Sequence, residues 1–350
     1  MNMEQMDSEV PLPKRTLTVG IVYNLKKGLK KDTPDAEAEY DRIDTVYAIQ
    51  SALEERGHRT VLLEADGALP EKLRHEQMDI AFNIAEGLHG RGREAQVPAM
   101  LHFFGIPFTG SDETTLCIAL DKALTKRIVS SYRVRTPKSI VLSAKTPLAT
   151  GSLHYPVILK PNAEGSSKGI SEISIVKNRR ELQELAGRSI HLYQQDMLAE
   201  EYIEGREFTV GILGNGRDAR LFPPMEIRYR KPTQGNYHVY NYKLKQSFTE
   251  YLEYQCPADL TKDQEKEMTG MARKVYDVLG CMDLARVDFR MSPDGKIHFI
   301  EVNPLPGLAP GYSDYPMLAE FCGVSYSDLI NGILDAALKR QKDERRGEIA

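Results

Sequence analysis

The chain has 350 residues, more than the roughly 100–200 residues of an ordinary domain, so we expect two or three domains. Hydrophobic residues make up 41% and charged residues 27% of the chain, a composition that excludes a disordered protein. The net charge of −4, from 46 Lys and Arg against 50 Asp and Glu, excludes broad electrostatic attraction to nucleic acid or to an anionic membrane, and we expect neither as a partner.

The opening residues and the cysteines favour the cytoplasm. Residues 1–15 are polar, lack the apolar core of a signal peptide and are expected to form a flexible tail. No later stretch approaches the ~18–20 apolar residues of a membrane span. The four cysteines form no C-x-x-C pair, so we expect buried thiols. They are Cys117, Cys256, Cys281 and Cys322.

Strand and helix patterns alternate between residues 16 and 111, which predicts a parallel α/β domain. TLTVGIVYN at 16–24 predicts a buried strand, and a charged loop follows it. From Asp41 to Arg56 the apolar residues recur at helical spacing, and Gly57 stands where a helix C-cap would. The alternation continues with RTVLLEA (59–65), MDIAFNIAEG (78–87) and a helix at QVPAMLHFFG (96–105).

Two further domains are predicted at 112–204 and 205–341, before a charged tail at 342–350. The first of them begins with a helix around DKALTKRIVSSY and continues with a strand, a glycine–serine loop and a second strand. It closes with the short strand in MLAEEYIEG, at 197–205. The other contains strands at EFTVGIL, LARVDFRM and IHFIEVN and helices near 261–279 and 325–340.

LARVDFRMSPDGKIHFIEVNP, at 284–304, predicts a β-hairpin, because an Asp-Gly turn signal separates two alternating runs. Arg286 and Asp288 share one face of the first strand, and Glu301 and Asn303 share one face of the second. If the register joins these faces, two carboxylates, an amide oxygen and a guanidinium converge. Such oxygen ligands suit Mg²⁺, and an arginine beside the metal can stabilise charge on a reacting oxygen.

The alternative for this hairpin is a solvated surface, which is the commoner situation for any one of these residues alone. The apolar residues of the second strand favour the metal site. We place Ile297 and Phe299 on the same side as Glu301 and Asn303, so that apolar positions lead into acidic ones at the rim of a core.

LKPNAEGSSKG, at 159–169, joins a strand-borne lysine to a glycine–serine loop. Lys160 ends the strand, and a loop containing Ser166 and Ser167 can close over phosphates. The lysine precedes the loop, which excludes a P-loop. A loop of this kind is more often a mere connector, but the lysine favours phosphate binding.

AEEYIEGREFTV, at 199–210, alternates acidic and apolar residues before a glycine. Glu200 and Glu207 can accept hydrogen bonds from a purine amine and from ribose hydroxyls, with the backbone of Tyr202 and Ile203 running along the base. Taken alone, this pattern is more typical of a strand surface.

In this order, the segments resemble the D-alanine–D-alanine ligase branch of the ATP-grasp superfamily, from about Thr16 to Arg340. The other matching segments are HGRGRE (89–94), GIPFTGSD (105–112), LDKALTK (120–126), YNYKLK (240–245), QCPADL (255–260) and NPLPG (303–307). The resemblance implies an α/β (α+β) ATP-grasp fold, with an N-terminal parallel α/β lobe and two ATP-grasp lobes that hold the nucleotide between them. It also implies ATP and Mg²⁺ as cofactors and a homodimer.

The resemblance further implies roles for individual residues. The implied contacts to ATP are Lys122, Lys160, Ser167 and Lys245 on the phosphates and Glu200, Tyr202, Ile203 and Glu207 on adenosine. The implied metal ligands are Asp288, Glu301 and Asn303, for two Mg²⁺ ions, with Mn²⁺ as an alternative. The implied catalytic residues are Arg286, which would stabilise the acyl phosphate and the tetrahedral intermediate, Ser166 and Lys245. Gly307 and Ser313 would lie near the carboxylate of the second substrate.

Three departures from the family pattern fall where substrates are expected to bind. A charged loop replaces the glycine-rich segment that supplies a glutamate near the first substrate's amine, which leaves Glu37 or Glu39 for that role. Gln246 stands where a tyrosine normally reaches the serine matching Ser166. The segment from Asn303 to Ser313 is one residue longer than the pattern, and Asp314 and Tyr315 follow where apolar residues are usual.

The sequence thus predicts an ATP- and Mg²⁺-dependent ligase that joins two amino-acid-like substrates through an acyl phosphate and releases ADP and phosphate. One alternative is a D-alanine–D-alanine ligase of peptidoglycan precursor synthesis. Another is a nucleotide-binding protein or a small-molecule kinase on the same fold.

Overall fold

The computed structural model describes residues 16–28, 37, 39–144, 153–164, 174–230, 237 and 251–347. These residues form three separate sheets, and each sheet is built from consecutive strands of the chain.

The first sheet is parallel, with the strand order β2-β1-β3. Its strands are β1 (Thr18–Tyr23), β2 (Arg59–Glu64) and β3 (Ile80–Asn83), and its helices are α1 (Ile43–Glu55), α2 (Leu69–His75) and α3 (Gln96–Phe103). Gly57 follows α1 with φ +86°, and its backbone N–H donates to the carbonyl of Glu54. The predicted role of Gly57 at the C-terminal end of α1 is therefore confirmed.

The second sheet is antiparallel, with the strand order β4-β7-β5-β6, and the helix α6 packs on one face of it. Its elements are β4 (Ser139–Leu142), β5 (Val157–Pro161), β6 (Ile175–Val176), α6 (Arg179–Tyr193) and β7 (Met197–Glu201). Leu159 and Ala199 face α6, so the alternation of the strands directs Lys160 and Glu200 to the opposite face.

The third sheet has six strands, in the order β11-β10-β8-β12-β13, with β9 paired to β8. The strands are β8 (Arg206–Leu213), β9 (Arg220–Leu221), β10 (Met225–Tyr229), β11 (Leu252–Gln255), β12 (Leu284–Met291) and β13 (Ile297–Asn303). Its core face packs against α7 (Lys262–Leu279) and against residues of α4 (Glu113–Leu120) and α5 (Lys122–Ser131).

The β12–β13 hairpin confirms the predicted one, but a β-bulge changes the faces of its second strand. Phe299 pairs with Phe289, whereas Glu301 pairs with Asp288, so Ile300 is an extra residue between them. Ile297 and Phe299 belong to the core, and Glu301 and Asn303 lie on the opposite face. Our placement of all four residues on one side was therefore wrong, because the bulge inverts the alternation at Ile300.

The last two helices return to the first sheet. They are α8 (Asp314–Phe321) and α9 (Tyr326–Arg346). Leu318 and Ile333 from these helices share a core with Val19 and Ile49 from β1 and α1. Among the described residues, no helix combines the length and the apolar character needed to cross a bilayer.

The prediction of buried thiols is confirmed at Cys281 and wrong at Cys117. Cys281 is buried, Cys117 is exposed, and Cys256 and Cys322 are partly buried. The difference at Cys117 arises because α4 buries its neighbours Thr115, Leu116 and Ala119 against the protein, which turns the cysteine to solvent.

Candidate active site

One face of the third sheet gathers the predicted catalytic Arg286 and the three predicted metal ligands. The register aligns them in rows across β8, β12 and β13. The rows are Gly211, Arg286 and Asn303, then Thr209, Asp288 and Glu301, and then Glu207 and Arg290. Because alternate residues of each strand point to the opposite face, the core packs behind this surface and the charged groups stay in front of it.

Asp288 is held by two neighbours in this surface. Arg286 donates from Nε to Oδ1 at 3.0 Å and from Nη2 to Oδ2 at 2.8 Å, and the Thr209 hydroxyl donates to Oδ1 at 2.7 Å. Burial raises the pKa of Asp288, and Glu301 adds to that effect, although Arg286 opposes it. A cation bound beside Asp288 would therefore stabilise the ionised form of its carboxyl group.

Arg286 also reaches a second carboxylate. Its Nη1 lies 3.1 Å from Oδ2 of Asp314, and the Tyr254 hydroxyl donates to Oδ1 of Asp314 at 3.1 Å. Asp314 is only 1% exposed. Burial would lower the pKa of Arg286, but Asp288 and Asp314 outweigh it and raise that pKa.

Glu301 faces lysines from other elements. Lys122 of α5 lies 3.4 Å from its carboxylate. Burial would raise the pKa of Glu301, but Lys122, Lys160 and Arg286 outweigh it and lower the pKa to about 2. Glu301 is thus ionised at any ordinary pH, as a ligand for a hard cation must be.

Lys160 and Glu200, predicted from separate segments, form a buried ion pair of 2.6 Å on the second sheet. Lys126 of α5 lies 2.9 Å from the other oxygen of Glu200 and donates to the carbonyl of Ile300 at 2.8 Å. Burial lowers the pKa of Lys126 to about 8, despite Glu200. Lys126 therefore joins the second sheet to the bulge beside Glu301.

Glu207 lies at the other end of the polar face. It pairs with Arg290 at 3.1 Å and accepts from the Tyr229 hydroxyl at 2.7 Å. Arg290 also stacks over the Tyr202 ring, with its guanidinium carbon 4.8 Å from the ring centre. Burial raises the pKa of Glu207, although Arg290 opposes it. Ile203 follows Tyr202 in the connection from β7 to β8.

A second charged cluster surrounds Arg93, between the first and second sheets. Its guanidinium lies 2.5 Å from Glu39 and 3.3 Å from Glu164, and carboxylate oxygens of Glu39, Glu86 and Glu94 lie within 4.8 Å of one another. Of the two candidates from the charged loop, Glu39 enters this cluster, whereas Glu37 accepts bonds from the backbone N–H groups of residues 27 and 28. A cleft of about 940 Å³ opens beside Arg93 and Glu164.

Gly307 and Ser313 are close to each other. A Cβ added at residue 307 would come within 2.9 Å of the Ser313 hydroxyl, which accepts from the backbone N–H of Ala309 at 3.2 Å. The predicted Ser166, Ser167, Lys245 and Gln246 lie outside the described residues.

Four charged residues of the site had no role in our sequence-based predictions. They are Arg93, Lys126, Arg290 and Asp314. Two of them had a readable signal, because Arg290 follows Asp288 at strand spacing and Lys126 follows Lys122 at helical spacing. The partners of Arg93 and Asp314 come from distant segments, so their pairing could not be read locally.

Comparison with known proteins bears on the family and the fold. The family model "D-ala D-ala ligase C-terminus" matches residues 131–335. A D-alanine–D-alanine ligase of Bordetella pertussis is 37% identical over 263 residues, covering 74% of this chain and 79% of that protein. An uncharacterized protein of Sinorhizobium fredii is 32% identical over 302 residues, covering 84% of this chain and 87% of that protein.

Solved structures show the same architecture. A D-alanine–D-alanine ligase from Bacillus anthracis, crystallised with ATP, superimposes with a TM-score of 0.74 at 23% identity, covering 94% of this chain and 100% of that chain. The VanG D-Ala:D-Ser ligase from Enterococcus faecalis superimposes with a TM-score of 0.72 at 19% identity, covering 92% and 100%. The predicted ATP-grasp fold is thus confirmed.

Proposed function

The chain belongs to the D-alanine–D-alanine ligase family, and on that premise we propose that it joins two amino-acid-like substrates by an amide bond at the expense of ATP. The observation that carries the proposal is the single surface formed by Arg286, Asp288 and Glu301, with Lys122 beside it. A carboxylate is a poor acyl donor, so the reaction requires phosphoryl transfer before an amine can attack.

The proposed reaction has two steps. A carboxylate oxygen of the first substrate attacks the γ-phosphorus of ATP, the bond to the β-phosphate oxygen breaks, and ADP leaves. The amine of the second substrate then attacks the acyl carbon and loses its proton, and phosphate leaves with the C–O bond electrons. Lys122 and Lys160 would hold the phosphates, and Glu200, Tyr202, Ile203 and Glu207 would hold adenosine.

The donor set fits Mg²⁺. Asp288 and Glu301 face each other across β12 and β13, and Asn303 lies on the same surface, which gives the oxygen ligands that this hard cation takes. We propose two ions there, with Mn²⁺ as an alternative. The bound metal would offset the charge of the transferring phosphoryl group. Arg286 would stabilise negative charge on the acyl oxygen during amine attack.

We propose the loop containing Ser166 and Ser167 as a lid that keeps water from the acyl phosphate, with Lys245 on the γ-phosphate. The proposed location is the cytoplasm, where ATP is available, and the homodimer stays a prediction.

The proposal extends to the choice of substrates. Glu39 is the residue that we propose near the first substrate's amine, and here it is already paired with Arg93. Gln246 and Asp314 also depart from the family pattern near the substrates. These departures favour amino acids other than two D-alanines, because a few altered contacts suffice to change selectivity. The second candidate, a D-alanine–D-alanine ligase, is favoured by the names of relatives such as the one from Bordetella pertussis.

Phosphate release, measured for D- and L-amino acids in pairs with mass spectrometry of the product, tests the proposal. We expect phosphate release to depend on the added amine. With D-alanine as the sole substrate we expect the rate of release to be at least ~10-fold lower than with the best pair, a difference of about 1.4 kcal/mol in transition-state binding. D-alanine as the best substrate would instead establish the second candidate. Phosphorylation of an alcohol would indicate a kinase, and the absence of any ADP formation a binding protein.

The metal assignment is tested by Asp288→Asn and Glu301→Gln. Each removes an anionic oxygen while keeping its shape, so we expect folded variants without measurable turnover at ordinary Mg²⁺ concentrations. Circular dichroism provides the control for folding. Turnover at the rate of the unaltered protein in both variants would remove the metal site from the proposal.

A further inference from the structure

Arg286 and the metal compete for the same oxygens. In this structure both oxygens of Asp288 accept from Arg286, at 3.0 Å and 2.8 Å. These are the oxygens that the proposed function assigns to Mg²⁺. A divalent cation on Asp288 withdraws lone pairs from the arginine and also repels its positive charge. Metal binding therefore weakens the two hydrogen bonds between Arg286 and Asp288.

Arg286 has a further hydrogen bond to a residue from another part of the chain. The Nη1 atom of Arg286 donates to Oδ2 of Asp314 at 3.1 Å. Asp314 stands in the first turn of α8, 28 positions away along the chain. It is not among the proposed metal ligands, so a metal on Asp288 leaves this bond in place.

Asp314 is itself fixed by its surroundings. Tyr254 of β11 donates to its other oxygen at 3.1 Å. The next residue, Tyr315, is fully buried and donates to the carbonyl of Ile212 at 2.8 Å, which anchors the start of α8 against β8. With 1% of its surface exposed, Asp314 would act on a bound substrate through Arg286.

We infer that Asp314 is a positioning residue that keeps the Arg286 guanidinium at the reacting acyl group once the metal has taken up Asp288. The inference rests on the proposed function. A donor stabilises a developing oxyanion only if it is already oriented when the charge appears, because otherwise its reorganisation adds to the barrier. Asp314 supplies that orientation through Arg286, while Tyr254 orients Asp314.

The competing explanation is a buried ion pair that serves stability alone. Such a pair would affect the folding free energy and leave the turnover of the folded protein unchanged. The positioning role instead lowers kcat and leaves the KM for ATP nearly unchanged, because Asp314 lies outside the proposed nucleotide contacts.

Asp314→Asn separates the two explanations. The variant keeps the shape and an acceptor for Tyr254 but removes the charge opposite Arg286. We expect kcat to fall roughly 10–100-fold, less than or similar to the loss of a direct oxyanion donor, with the KM for ATP within about 3-fold. Tyr254→Phe should give a smaller loss of kcat. Asp335→Asn, at the exposed pair with Arg56, is the matched control and should change neither constant.

A second measurement does not depend on knowing the substrates. We expect the NMR signal of the Arg286 Nη1 hydrogens, which bond to Asp314, to stay protected from exchange in the unaltered protein loaded with Mg²⁺ and a non-hydrolysable ATP analogue, and to lose protection in Asp314→Asn. Unchanged kcat, or equal protection in both proteins, would overturn the inference. A failure of the proposed function has a different signature, since the unaltered protein would then release no phosphate with any pair.

Discussion

Glu301, which is partly buried, and Glu94, which is buried, have pKa values that move in opposite directions. Burial acts to raise the pKa in both cases, so the difference comes from the neighbouring charges. Lys122, Lys160 and Arg286 surround Glu301 and lower its pKa to about 2. Burial and the carboxylates of Glu39 and Glu164 outweigh Arg93 and Lys122, which lower the pKa of Glu94, and that pKa rises to about 7. The carboxylate of the proposed metal site is thus charged, whereas Glu94 in the cluster around Arg93 retains its proton to higher pH.

Glu94 should therefore make stability depend on pH. Its folded pKa of about 7 exceeds the ordinary 4.5, so the native state binds the proton more tightly. This contribution is complete below pH 4.5 and is lost as pH rises through 7. We expect Glu94→Gln to exceed the unaltered protein in stability by about 1–3 kcal/mol at pH 8 and to equal it near pH 4.5.

Urea unfolding at several pH values provides the measurement, with Glu76→Gln, at an exposed position, as the control. Parallel pH profiles for the Glu94 variant and the unaltered protein would contradict the expectation.

At the scale of single residues, the sequence predicted side chains that share a strand. Arg286, Asp288, Glu301 and Asn303 meet as expected because an Asp-Gly turn sets a local register. The partner of Asp314 lies 28 positions away, and no local pattern encodes such a pairing.

At the scale of elements, the β12–β13 hairpin and the helices with clear periodicity were predictable, whereas other elements were missed. The strands β10 and β11 pair across an intervening segment of 22 residues, from 230 to 251. Each has only four or five residues, too few to show a period. The helices α2, α4, α6 and α8 were missed as well, and α8 begins at the residue that holds Arg286.

Gly205, between β7 and β8, lies against the backbone at the end of β12. Its φ is +126°, and a Cβ there would stand 2.1 Å from the carbonyl oxygen of Met291. We expect Gly205→Ala to destabilise the protein by roughly 2–4 kcal/mol, since strain and collision add. Gly187→Ala is the matched control. It lies within α6 with open space around it and should stabilise by about 0.5–1 kcal/mol. Equal unfolding midpoints for the two variants would refute this account.

At the scale of the molecule, α9 ties regions that are distant in sequence. Arg340 lies 2.9 Å from the fully buried Asp283 before β12 and donates to the carbonyl of Phe108 at 3.0 Å. The fold class was predictable from the sequence. The mutual packing of the sheets was not, because it depends on contacts such as these between chain segments more than 50 residues apart.

Arg340→Met should lower the free energy of unfolding by roughly 2–4 kcal/mol, because it leaves the Asp283 carboxylate buried without its cation. The neighbouring Lys339→Met removes an exposed pair with Asp218 and should change stability by no more than about 0.5 kcal/mol. Chemical unfolding of both variants gives the comparison. If Arg340→Met has the same free energy of unfolding as Lys339→Met, the contact between Arg340 and Asp283 does not stabilise the protein.

The bulge at Ile300 also determines where the chain can change its length. Two residues, Ile300 and Glu301, stand between the core positions Phe299 and Val302, where a regular strand has one. Removal of Ile300 restores simple alternation and leaves every remaining side chain on its present face. Removal of Val302 instead turns an acid or an amide of the proposed metal site into the core beside Phe289. Relatives that differ in length here should therefore have gained or lost their residue at the bulge.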